Sequence, residues 1–92
     1  ADYAATLGYT IYEVEGRGAA LAYLADAARD EHDWMWGLSL YATLLFADGR
    51  CQDGAAQMQR TVAQGLPEPN VQSLQETAAR CVAGSPATGS GK

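Results

Sequence analysis

Basic residues are scarce in this chain of 92 residues: six Lys and Arg stand against eleven Asp and Glu, a net charge of −5. That balance argues against a nucleic-acid backbone or an anionic membrane as the main partner. Histidine occurs once, at His32, and cysteine twice, at Cys51 and Cys81, with no CxxC pair. One imidazole and two distant thiols fall short of a zinc site. No apolar run reaches the ~20 residues that span a bilayer. No stretch alternates in the manner of a half-buried strand. Aromatics are missing from the second half altogether: Tyr3, Tyr9, Tyr12, Tyr23, Trp34, Trp36, Tyr41 and Phe46 are the full set. The large, rigid contact groups therefore sit at one end of the chain.

A phosphate-binding loop is missing too, although the chain ends in Gly91-Lys92. Pro86 stands at the first-glycine position, no Ser or Thr follows Lys92, and no strand precedes the segment. The start at Ala1, without Met or leader, reads as a processed form or a fragment. Residues 84–92, rich in Gly and Ser, read as a flexible tail.

What is present is a folded composition, 48% apolar and 18% charged, in a chain of single-domain size. Tyr3, Ala4, Leu7, Ile11 and Val14 recur at helical spacing and predict a helix over about 2–15, broken at Gly16 and Gly18. A second helix follows, with Ala20, Leu21, Leu24, Ala27 and Ala28 on one side. The polar turn Asp30–Asp33 precedes a third over 34–47, apolar nearly all round and so buried on more than one side, with Asp33 as its expected N-cap. Asp48-Gly49-Arg50 is a turn. A fourth helix is expected over about 53–64, with Ala55, Met58, Val62 and Ala56 as inward candidates. Gly65 to Asn70 stops it. A fifth covers about 70–83, with Val71, Leu74, Ala78, Cys81 and Val82 on one face and Gln72, Gln75, Glu76 and Arg80 on the other. The fold class is all-α, an antiparallel array of helix pairs over residues 1–83.

Catalytic groups do not gather in this reading. Glu31, His32 and Asp33 are consecutive on a turn and diverge, so they form no metal triad. Asp2, Glu13 and Glu15 lack a nucleophile or second fixed carboxylate and read as solvent-facing charges. A non-enzymatic protein without cofactor or metal is expected.

The spacing of small and large residues carries more. Leu7, Gly8, Tyr12, Ala20, Leu24 and Ala27 form one unit, and Ala42-Thr43, Phe46, Ala55, Gln59 and Pro67 a second. Ala20 and Ala55, like His32 and Pro67, lie 35 apart. This pattern resembles the tetratricopeptide repeat, a helix pair recurring every ~34 residues. It departs from that family at His32, where Pro is usual, at Ala42-Thr43 in place of Leu-Gly, and at Gln59, normally a large apolar position. The rival is an unrelated helical bundle with small residues at its crossings, where Gly8, Ala20, Ala27 and Ala55 allow close approach.

In such an array each terminal helix needs a polar outer face. The fifth helix has one and reads as the closing helix; the first does not, so it is expected to pack on a partner or on a preceding repeat. The fourth and fifth helices form an antiparallel hairpin that brings Cys51 beside Cys81. A disulfide there favours the periplasm or the cell exterior; two small buried thiols are the alternative.

The resemblance further implies that the first helix of each pair lines a concave groove for peptides or helices. Groove positions are then Asp2, Ala5, Tyr9, Tyr12 and Glu13, and near Trp36, Leu40, Thr43, Leu44 and Ala47. Tyr3, Tyr23, Trp34, Tyr41 and Phe46 are assigned to the core. Tyr9, Tyr12, Glu13, Trp36 and Leu40 are the candidate partner-binding residues, and the nearby acidic groups favour a partner with some positive charge. The expected function is a protein–protein interaction or scaffold module. The alternatives are a periplasmic domain of a polysaccharide synthesis or export machine that contacts glycan or a partner subunit, and a small thiol-redox protein.

Overall fold

The computed structural model describes residues 2–30 and 34–84. Among the described residues there are five α-helices and no strand: α1 (Tyr3–Glu15), α2 (Arg17–Arg29), α3 (Met35–Ala47), α4 (Cys51–Ala63) and α5 (Glu68–Ala83). None of them is long and apolar enough to cross a membrane. The capping role expected of Asp33, and the tail beyond Gly84, lie outside the described residues. α4 starts two residues earlier than expected, so Cys51 opens the helix. α5 starts at Glu68 because Pro69 falls in the first turn, where the missing N–H has no intrahelical acceptor to lose.

Short links fix the order of the array. Gly16 alone joins α1 to α2: its N–H donates to the Tyr12 carbonyl and its own carbonyl accepts from Ala20. Its φ of 99° and ψ of 176° belong to a region open essentially to glycine. α1, α3 and α5 form one row and α2 and α4 a second, with α2 packed on α1 and α3, and α4 on α3 and α5. The described array measures 41 × 30 × 21 Å.

α3 is central because nothing on it needs water. It carries no charged residue, and Gly37, Leu38, Tyr41, Ala42, Leu44, Leu45 and Phe46 are all buried. One side of α3 joins Ala20, Leu21 and Leu24 of α2, with Ile11 of α1 at the margin. The other side joins Leu66, Val71 and Leu74 from the α4–α5 hairpin, with Met58 and Cys81 beside them. Glycines set the crossings. A Cβ on Gly37 would lie 2.7 Å from the Ala4 Cβ, one on Gly8 2.9 Å from Leu24, and one on Gly54 2.6 Å from the Phe46 ring. Gly8 also faces Leu40. Ala4 thus pairs with Gly37 and Gly8 with Leu40, at separations of 33 and 32 residues, so α1 and α3 run parallel and side by side. α4 runs antiparallel to α3: Gly54 meets Phe46 near one end, and the buried Thr61 hydroxyl donates to the Met35 carbonyl at the other (2.5 Å).

Five inward assignments are corrected. Tyr3 and Val14 are 68% and 77% exposed. The contact face of α1 is centred on Ala4 and Gly8, and these two residues lie roughly a third of a turn round from it. On α4 the inward residues are Gly54 and Thr61, with Ala55 and Met58 half-buried, whereas Ala56 and Val62 are exposed. Val82 is 57% exposed in the last turn of α5. Tyr41 and Phe46 are buried, and Tyr23 and Trp34 half-buried. Gln72, Gln75, Glu76 and Arg80 leave α5 a polar outer face.

Cys51 and Cys81 form a disulfide with Cα atoms 5.9 Å apart, tying the start of α4 to the last turn of α5. It closes a 30-residue separation, for which chain-entropy reasoning gives about 3–4 kcal/mol. Reduction, or the double variant Cys51→Ser/Cys81→Ser, is expected to lower unfolding free energy by about that amount in urea titration. Two nearby glycines are expected to respond with opposite signs in the same assay. Gly16→Ala meets no neighbouring atom but forces the backbone, at a cost of about 1–3 kcal/mol. Gly18→Ala, in open space on α2 with ordinary helical φ, is expected to gain about 0.4–1 kcal/mol.

Candidate functional site

The parallel pair α1 and α3 begins with a shared carboxylate. Asp2 caps α1, its Oδ1 accepting from the Ala5 N–H at 2.8 Å. The same side chain accepts from the Trp36 N–H at 2.7 Å and the Gly37 N–H at 3.1 Å, both in the first turn of α3. First-turn N–H groups have no acceptor within their own helix, and helix N-termini favour negative charge. One carboxylate therefore serves two helix ends. Asp2 is neither the solvent-facing charge nor the groove residue that its sequence position suggested. A signal was present, since Asp immediately before the first apolar-periodic residue is an N-cap pattern; its second partner, 34 residues on, carried none.

Above this clamp, α1 and α3 leave a groove of about 410 Å³ between them, lined by Ala5, Thr6, Tyr9 and Thr10 on one wall and Trp36 and Leu40 on the other. The walls are parallel because Ala4 abuts Gly37 and Gly8 faces Leu40 underneath. Tyr9 is exposed, Trp36 and Leu40 half-buried. The lining holds no ionisable group besides the Tyr9 phenol, and the Thr10 hydroxyl donates back to the Thr6 carbonyl at 3.0 Å. Chemically this is an apolar slot with aromatic edges and few free donors.

Tyr12 and Glu13 stand beside the slot rather than in it. The Tyr9 and Tyr12 ring centroids are 6.5 Å apart with planes tilted by 32°. Glu13, one turn beyond Tyr9, accepts from its hydroxyl, and this bond together with the carboxylate charge raises the Tyr9 pKa above its ordinary 10.0. Burial raises the Tyr23 phenol as well, with Tyr3 and Asp2 adding to the effect.

The structure thus brings Ala5, Tyr9, Trp36 and Leu40 into one groove, with Tyr12 and Glu13 at its edge. Leu44 is instead buried in the core against α2. Thr43 is exposed, its hydroxyl donating to the Ser39 carbonyl. Ala47 is the last residue of α3, its carbonyl accepting from Arg17, which also pairs with the C-cap Asp48 at 3.3 Å. Thr6 and Thr10 were not anticipated; each follows a groove residue directly in sequence, on the same flank of α1. A second, shallower groove of about 320 Å³ lies between α4 and α5, lined by Met58, Gln59, Val62, Ala63, Val71 and Gln75.

No family model, curated protein or solved structure matches the chain, so the site is interpreted from its own geometry.

The Tyr9–Glu13 contact has a spectroscopic signature. Ionising Tyr9 would set two negative charges side by side, so its phenolate is expected to form only above the ordinary value of 10.0. Glu13→Gln removes the charge and is expected to move the Tyr9 midpoint back toward that value, followed through its ring resonances in an NMR titration. An unmoved midpoint would show that the two side chains do not interact in solution.

Proposed function

We propose that this chain is a non-enzymatic interaction module of the tetratricopeptide type, taking a peptide or helix into the groove between α1 and α3. The observation that carries the reading is the groove itself: Tyr9 faces Trp36 and Leu40 across two parallel helices. In the family that the sequence resembles, the first helix of each pair forms the binding wall, and α1 and α3 hold that rank here. The separations of 32 and 33 residues between facing positions on α1 and α3 are near the ~34 of that repeat. Tyr and Trp offer large contact area at low entropic cost and dominate binding hot spots.

The lining also separates peptide from sugar. A carbohydrate site places several polar side chains beside its aromatic face to meet the sugar hydroxyls, and this slot offers two threonines, one phenol and the Trp36 indole N–H, with no carboxylate or amide. An apolar side chain entering the slot loses no such partner. The glycan-contacting role in a polysaccharide machine is therefore the weaker reading. Both cysteines are joined in one bridge between helices, and no free cysteine remains. A staple of that kind fits an oxidising compartment, the periplasm or the cell exterior, better than a redox cycle in the cytosol.

The test is binding of synthetic peptides and of oligosaccharides, both followed by tryptophan fluorescence. Peptides are expected to bind with micromolar affinity typical of small grooves, about −8 kcal/mol, and Tyr9→Ala and Trp36→Ala to weaken them at least tenfold with helical circular dichroism unchanged. Val62→Ala, in the α4–α5 groove, is expected to bind as the parent chain does. Saturable oligosaccharide binding without peptide binding would replace the peptide reading, and equal affinity in all three variants would remove the groove from function.

A further inference from the structure

The groove and its edge differ in charge in a way that selects among peptides. α3 carries no ionisable charge; on α1 the charges are Glu13 and Glu15, and of these Glu13, one turn beyond Tyr9, stands at the groove edge. The Asp2 charge is engaged by three backbone N–H groups at the opposite end. Arg17, near the C-terminal end of α3, is held by Asp48 and the Ala47 carbonyl. Because α1 and α3 run parallel, both direct their carbonyl ends, the negative ends of their dipoles, toward the Glu13 side. The potential along the groove is thus neutralised at the Asp2 end and negative at the Glu13 end.

At that negative end stand two exposed rings, Tyr9 and Tyr12, within 6.5 Å of each other and beside the Glu13 carboxylate. A ring face attracts a cation, and a carboxylate adjacent to two such faces strengthens the preference. We infer that the groove selects a cationic peptide: an apolar side chain seats between Tyr9, Trp36 and Leu40, and an Arg or Lys head lies over the Tyr9–Tyr12 pair against Glu13. This rests on the peptide reading of the groove and adds to it the chemistry of the second anchor. Tyr9 belongs to both anchors, since it lines the slot and touches Tyr12. One helical turn from Tyr9 to Glu13 is about 6 Å. That distance is two residues of an extended peptide or one turn of a helical one, so the cation lies two or four residues from the apolar residue.

Charge-paired synthetic peptides provide the test. An array holds peptides with a fixed Leu and, two or four residues to either side, either Arg or its neutral isostere citrulline, and is probed with the oxidised chain of 92 residues. Arg members are expected to bind about three- to tenfold more tightly than their citrulline partners at low salt. Glu13→Gln is expected to erase most of that difference. Trp36 is half-buried, so Tyr9→Ala, at an exposed position, is the control for loss of the slot. If Arg and citrulline members bind alike but lose affinity in Tyr9→Ala, the cation site is overturned and the groove reading stands. If no peptide's binding responds to Tyr9→Ala or Trp36→Ala, both are overturned.

Discussion

Asp2 joins the N-terminal ends of α1 and α3, and the remainder of the aromatic half is arranged around that joint. Its carboxylate accepts from Ala5 on its own helix and from Trp36 and Gly37 on the neighbour. Hydrogen bonds to a charged group contribute about 1.5–3 kcal/mol each where they are desolvated, which is large beside the apolar contact that α1 makes. Of the residues of α1 only Ala4 and Gly8 are buried, with Ala5, Leu7 and Ile11 half-buried. A helix with so thin a contact face is held by close approach and by its end. The approach comes from the missing side chains at Gly8 and Gly37 and the end from Asp2. Together they fix the distance between the Ala5–Tyr9 wall and the Trp36–Leu40 wall, and hence the width of the groove.

The other end of the array is secured by different means. α4 and α5 are polar on their outsides and contribute few large apolar groups: Met58 half-buried from α4, Val71 and Leu74 buried from α5, and Leu66 from the link between them. A chain of this size buries a limited share of its surface, and small domains commonly add a covalent constraint. The Cys51–Cys81 bridge supplies it at the open end of the hairpin. Thr61 supplies a further constraint, its buried hydroxyl tying α4 to the Met35 carbonyl. α3 mediates between the two halves because it is uncharged and apolar nearly all round and is covered by α1 and α2 on one flank and by α4 and α5 on the other.

Much of this was readable from residue order. The 3.6-residue periodicity located all five helices, and the all-round hydrophobicity of residues 34–47 placed α3 at the centre. The antiparallel hairpin expected from residues 51–83 already puts Cys51 beside Cys81. What escaped were positions where burial and hydrophobicity part company. Gly54 and Thr61 are the inward residues of α4, and neither scores as apolar; Val62, one position on, does score and is exposed. Tyr3 and Val14 fit the period of α1 but sit off the axis defined by Ala4 and Gly8, because the small residues, not the large ones, set the contact. In the groove, Tyr9, Trp36 and Leu40 were legible as a set through the spacing of the first and third helices. The removal of Asp2 and Leu44 from that set was not, since it follows from contacts between α1, α2 and α3 that sequence distance conceals.

The two ends of the molecule consequently differ in how firmly they are held, and the groove lies at the less constrained one. α1 has a narrow contact face, no covalent tie and an exposed outer side, so it belongs to the part of a fold that opens at lower free energy than the whole. A ligand that bridges α1 and α3 binds only where both walls are in place and shifts the balance toward the docked helix by mass action. The apolar lining suits that role, because each contact it gains reinforces the small-residue packing of Ala4 and Gly8 beneath it. The stapled hairpin need take no part: it fixes one side of α3, and α3 then offers Trp36 and Leu40 as a stationary wall. If the groove takes a peptide as proposed, affinity depends on how well α1 is docked before the ligand arrives, and so on the Asp2 carboxylate that fixes its end.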